Sequence, residues 1–127
     1  MNRLEGRIEE IKGAGAVRLA RVRTIAGHMN ALVLDVGSPT RPMAVGKAVR
    51  LLFKETALVV AAPHHPALEG VVKFLHRGEV VADLEVALGE MSTIKGRLPS
   101  EEIPTNLMVG SLVRIHVPAS ALALEIL

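Results

Sequence analysis

The chain repeats itself. Laid on itself at an offset of 64 residues, Leu4-Glu5-Gly6 falls on Leu68-Glu69-Gly70 and Val45-Gly46 on Val109-Gly110. Val49-Arg50 falls on Val113-Arg114, and Ala57-Leu58 on Ala121-Leu122. With Val17/Val81, Val22/Val86 and Leu34/Leu98 the identities number 12, and conservative pairs such as Ile8/Val72 and Leu51/Ile115 lie between them. An unbroken register over nearly the whole chain reads as a tandem duplication, so a single fold of half the length must serve twice. The expected units are residues 1–62 and 67–127, joined by Pro63-His64-His65-Pro66. Two prolines make this linker stiff and irregular, and it is too short to hold two bodies far apart.

Within each half the apolar residues alternate. Val49, Leu51 and Phe53 are separated by Arg50 and Leu52, and Val113, Ile115 and Val117 by Arg114 and His116. Val80, Ala82, Leu84 and Val86 alternate with Val81, Asp83 and Glu85. Period two in β-branched, Gly- and Pro-bounded stretches predicts half-buried strands. They are placed near 3–12, 16–25, 29–35, 47–53 and 56–61, with counterparts 64 residues later. Before the fourth strand of each half lies a Pro-rich connection, Ser38 to Pro42 and Pro99 to Pro104, that leaves room for one helical turn at most. Each connection ends at a glycine suited to positive φ, Gly46 or Gly110. The predicted fold class is therefore all-β: two tandem five-stranded small barrels of the oligonucleotide/oligosaccharide-binding type. The two aromatic residues, Phe53 and Phe74, are expected in the core, one per half.

Composition removes whole classes of function. There is no Cys, so no disulfide framework, thiolate metal site or cysteine nucleophile, in keeping with a reducing cytoplasm. The start lacks the apolar stretch of a signal peptide, and no apolar run approaches the roughly 18 residues that span a bilayer. Nucleic acid is not expected: single-strand binders of this barrel type stack bases on aromatic side chains, and here Phe53 and Phe74 are the only aromatics. No Gly-x-Ser-x-Gly elbow or phosphate-binding loop is present, and Glu9-Glu10 and Glu101-Glu102 are adjacent rather than facing, so no enzyme is expected. His64-His65 are adjacent, and His28, His76 and His116 show no chelating spacing, so no metal site is expected either.

The net charge of +2 hides an asymmetry. Residues 1–63 carry 10 Lys/Arg against 5 Asp/Glu, and residues 64–127 carry 5 against 8. Net charges of +5 and −3 are complementary, as a head-to-tail ring of copies requires.

The frame as a whole resembles a known module. Asn2-x-Leu4-x-Gly6 opens an alternating strand; Met43 and Val45 precede Gly46-Lys47-x-Val49, and Phe53-Lys54-x-Thr56-Ala57 closes the half. This is similar to the Mop or TOBE module, and the tandem pair resembles the di-Mop molbindins over essentially the whole chain. The resemblance implies small barrels that swap strands with a partner, and a symmetric homo-oligomer, most often a trimer. It further implies molybdate or tungstate bound at subunit interfaces for intracellular storage, buffering or sensing. A tetrahedral dianion that must leave intact suits amide N–H groups, hydroxyls and one or two cations.

The same resemblance nominates the oxyanion-binding residues. Lys54 stands where the family has a Lys before the last strand, and Thr56 replaces a Ser. Asn2 and Arg3 head the first strand, positioned to reach a neighbour's site if that strand is exchanged. In the second half the Lys has become Pro118 while Ser120 keeps the hydroxyl, and His65 stands where the family has an Arg. The family's Thr-x-x-Ser pair falls on Leu34 and Gly37, and on Leu98 and Glu101; ahead of Asn2 there is Met1 alone, where the family has Ser-Ala-Arg. These departures define the alternative: an assembly or regulatory module without ligand, pairing with a transporter ATPase or a DNA-binding subunit. Arg50 and Arg114, at one repeat position, are expected to pair with Glu on the outer face.

Overall fold

The computed structural model describes residues 1–13, 15–34, 43–62 and 66–127. Gly37, the Ser38–Pro42 connection, the His64-His65 pair and most of the linker lie outside them. Ten strands form in the predicted order: β1 (Asn2–Lys12), β2 (Val17–Thr24), β3 (Gly27–Leu34), β4 (Ala48–Phe53), β5 (Val59–Val60), β6 (Leu68–Arg77), β7 (Val81–Leu88), β8 (Ser92–Pro99), β9 (Leu112–His116) and β10 (Ala123–Ile126). One-turn 3-10 helices occupy Glu55–Ala57, Ser100–Glu102 and Ala119–Ala121, and the first and last of them take the opening residues of the strands expected at 56–61 and 64 residues later, which are correspondingly shorter.

The sheets do not follow the halves. One has the strand order β10-β4-β1-β2-β3 and the other β5-β9-β6-β7-β8. Each half supplies four strands of its own sheet, then sends its last strand into the other. Ala123–Ile126 of β10 pair antiparallel with Leu52–Val49 of β4, and Val59 and Val60 of β5 pair with His116 and Ile115 of β9. The last strand of each half is thus exchanged within this chain. The repeat explains why it can be. Leu58 and Leu122 are one of the identical pairs and both are buried, at 2% and 5% exposure. Leu58 packs over Gly96 on β8, where a Cβ would collide with its side chain.

The buried alternation runs as predicted through Val49, Leu51, Phe53, Ala82, Leu84, Val86, Val113, Ile115 and Val117. Two expectations are corrected. The register is not unbroken: Val17 pairs with Leu34, but Val81 pairs with Pro99 rather than Leu98. The β7–β8 turn, residues 89–91, has one residue more than the β2–β3 turn, residues 25–26, and the following connection one fewer, so the offset is restored at β4 and β9. Phe74 and Val80 are not core residues; they are 46% and 73% exposed. The β6–β7 register shifts between Val72 and Phe74, and a bulge there turns Phe74 outward and Leu75 inward. The β1–β2 ladder is bulged at the same repeat position, between Ile8 and Glu10.

Arg50 does pair with Glu on the outer face. It lies 3.4 Å from Glu5 on β1 and 3.2 Å from Glu125 on β10, a bridge across three strands that ties the exchanged strand in place. Arg114 stands 3.7 Å from Glu69.

Candidate functional site

The exchange creates two junctions, one where β4 hands the chain to the second barrel and one where β9 hands it to the first. At the first junction β4 ends at Phe53, opposite Asn2 on β1. Lys54 follows in extended conformation and the turn Glu55–Ala57 packs against β8. Asn2, Arg3, Lys54 and Thr56 are thus brought to one place, the start of β1 and the crossing segment beside it. Ser120 is not with them. It lies on the turn Ala119–Ala121, which packs on β3 at the other junction.

The four residues of the first junction differ in what their side chains are free to do. Arg3, Lys54 and Thr56 are exposed, and among the described residues none holds an ion pair or side-chain hydrogen bond. Asn2 is buried, at 6% exposure. Its side-chain amide donates to the Lys95 carbonyl (2.7 Å), and its oxygen accepts from the Lys95 N–H (2.8 Å). Asn2 therefore joins β1 to β8 across the two barrels. Sequence reasoning missed Lys95 as part of this junction; no local pattern marks a residue 93 positions away.

Beside the junction, on the outer face of β6–β8, Glu55, Phe74, Asp83, Glu85, Lys95 and Arg97 line a cleft. Both of its cations are paired with carboxylates. Arg97 Nε lies 2.9 Å from Asp83, and the hydrogen bond and charge of Asp83 hold the guanidinium above its ordinary range. Lys95 Nζ lies 3.7 Å from Glu85. Cations already neutralised offer little to an anion, so Arg3 and Lys54 are the available positive charges of this junction.

The second junction is built differently. A cleft of about 400 Å³ there is lined by residues including His28, Asn30, Pro66, His116 and Pro118. Pro66 and Pro118 stand at the repeat positions of Asn2 and Lys54. His28 is engaged by Glu9 at 2.8 Å.

The order of strands, the paired bulges and the exchanged ends define the class of fold as a tandem pair of small five-stranded barrels. No family model matches the sequence, and no characterised relative was found by sequence comparison. Among solved structures the chain is similar to the cytoplasmic molybdate-binding protein ModG, in a crystal form with molybdate bound. The TM-score is 0.81 at 20% identity, and the match covers 99% of this chain and 96% of that one. Among the described residues, no helix is long and apolar enough to cross a membrane.

Proposed function

We propose that this protein binds molybdate or tungstate in the cytoplasm, for storage, buffering or sensing of the oxyanion. The observation that carries the reading is the likeness to the fold of ModG from end to end of the chain. The first junction supports it chemically. Arg3 and Lys54, two exposed cations with no ion pair among the described residues, and the hydroxyl of Thr56 lie on the start of β1 and the segment that follows β4, and their charge and donors suit a dianion. Ser120 contributes at the second junction, where Pro118 removes the cation.

Binding belongs to an assembly rather than to one chain. On an open surface, two solvated cations give an anion little, because water screens the pair. A second copy closing over Lys54 supplies the desolvation and further donors. The assembly is a homo-oligomer, with a trimer favoured. Asn2 acts in this scheme by fixing β8 against β1. No reaction is assigned.

Calorimetric titration with molybdate tests the reading. Saturable heat with a simple ratio of ion to chain is expected from the oligomer, and Lys54→Ala should bind more weakly. Equal affinity in a demonstrated monomer would refute the shared site.

A further inference from the structure

The outer faces of β2–β3 and β7–β8 occupy equivalent places on the two barrels, yet they are finished differently. On β7–β8 the cross-strand pairs are Val81–Pro99, Asp83–Arg97 and Glu85–Lys95, and the last two are ion pairs. This is how a sheet face is made compatible with water. On β2–β3 the corresponding pairs are Val17–Leu34, Leu19–Leu32 and Arg21–Asn30. Val17, Leu32 and Leu34 are 51%, 46% and 69% exposed. Single exposed leucines are ordinary, but two adjacent all-apolar rungs form a patch. Arg21 continues the patch as an exposed cation with no ion pair among the described residues.

The charge pattern specifies what covers such a face. Counting the exchanged strands with the barrels they complete, residues 1–54 and 118–127 carry 10 Lys/Arg against 5 Asp/Glu, and residues 55–117 carry 5 against 8. The first barrel is thus +5 and the second −3. A complement to the β2–β3 patch must be apolar with an acidic rim. The second barrel has one at the start of β7. Val80 is 73% and Val81 41% exposed, and Glu79, Glu101 and Glu102 are exposed around them. Ser100 holds this arrangement together: its N–H donates to the Val80 carbonyl (2.9 Å) and its hydroxyl to the Gly78 carbonyl (2.7 Å).

We propose that the Val17–Leu19–Leu32–Leu34 face is the docking surface for a second copy of this chain, which presents the Val80–Val81 end of its acidic barrel. The contact is head-to-tail, because two copies of the apolar-basic face would oppose Arg21 to Arg21. This inference deepens the assembly part of the proposed function and rests on that reading only for the existence of an oligomer.

The test is a mixing experiment read as mass in solution. Leu32→Glu spoils the receiving face and leaves the acidic end intact; Val80→Glu does the reverse. Both positions are exposed, so a cooperative unfolding transition in each variant confirms that it folds. Each variant alone should fall to the mass of one chain, 13.5 kDa. Mixed in equal amounts they should form two-chain particles, since one intact pair of faces remains. A wild-type protein that is itself monomeric, a variant that keeps the wild-type mass, or a mixture that stays monomeric would overturn the proposal. Oxyanion binding is read separately as heat, so a failure of the ligand reading is distinguishable from a failure of this surface.

Discussion

The side-chain amide of Asn2 is bonded in both directions to the backbone of Lys95, donating at 2.7 Å and accepting at 2.8 Å. It acts as one extra rung of β-ladder between two barrels, made by a side chain in place of a strand. The repeat partner of Asn2 is Pro66, which has no amide to offer. At that junction the contact falls instead to the Glu69 N–H on the Ala26 carbonyl, at 3.2 Å. One duplicated sequence therefore closes its two junctions by different means.

Asn2→Ala should destabilise the whole chain. It leaves the N–H and carbonyl of Lys95 without these partners in a part-buried place, a change that typically costs about 1–3 kcal/mol. Denaturant unfolding should show a lower midpoint with an unchanged slope.

Removing residues 118–127 should be far more damaging than cutting their ion pair. The deletion strips β10 from β4 and leaves the first barrel open, with an unpaired edge that invites aggregation. Arg50→Ala removes only half-exposed ion pairs with Glu5 and Glu125, worth at most about 1 kcal/mol. Size-exclusion profiles and thermal unfolding of the two variants should separate clearly.

Gly6 and Gly70 should both resist substitution by alanine. A Cβ at Gly6 would lie 2.5 Å from the Arg23 carbonyl oxygen and 2.6 Å from the Val22 side chain. At Gly70 the same contacts recur with Val86 (2.5 Å) and the Ala87 carbonyl oxygen (2.6 Å). Overpacking against backbone costs about 1–3 kcal/mol, so each alanine variant should melt several degrees lower.

The Leu-Glu-Gly repeat was thus legible as geometry as well as ancestry, and so were the order of the strands and most of the alternating core. The destination of β5 and β10 was not. In a duplicated chain either barrel offers a terminal strand nearly the same seat, so local pattern does not distinguish a strand kept from a strand exchanged. Phe74 was misplaced because a bulge reverses the period-two count at Lys73, although its repeat partner, Glu10, is a charged residue that belongs outside. Around the candidate site, Asn2 and Arg3 lie opposite Phe53 and Leu52, just ahead of Lys54 and Thr56, because β1 and β4 pair directly. Ser120, chosen by the same repeat logic, goes to the other junction because its strand is exchanged.

Lys54→Ala should lower oxyanion affinity without touching stability. The side chain is exposed and carries no ion pair among the described residues, while a charge-assisted hydrogen bond to a bound dianion is worth about 1.5–3 kcal/mol. That corresponds to roughly a ten- to hundred-fold loss in affinity, with an unchanged melting temperature. Ser120→Ala should leave the affinity of the Lys54 junction as it was.

We propose that this chain of two tandem barrels holds a tetrahedral oxyanion between its copies. Calorimetric titration of the purified protein with molybdate, tungstate and sulfate, with its mass in solution recorded alongside, addresses it most directly. There is no Trp or Tyr to report binding by fluorescence. The account predicts an oligomer that gives saturable heat with molybdate and tungstate at a simple ratio per chain, and none with the smaller sulfate. A stable oligomer silent toward all three anions would contradict it and leave an assembly module on this fold.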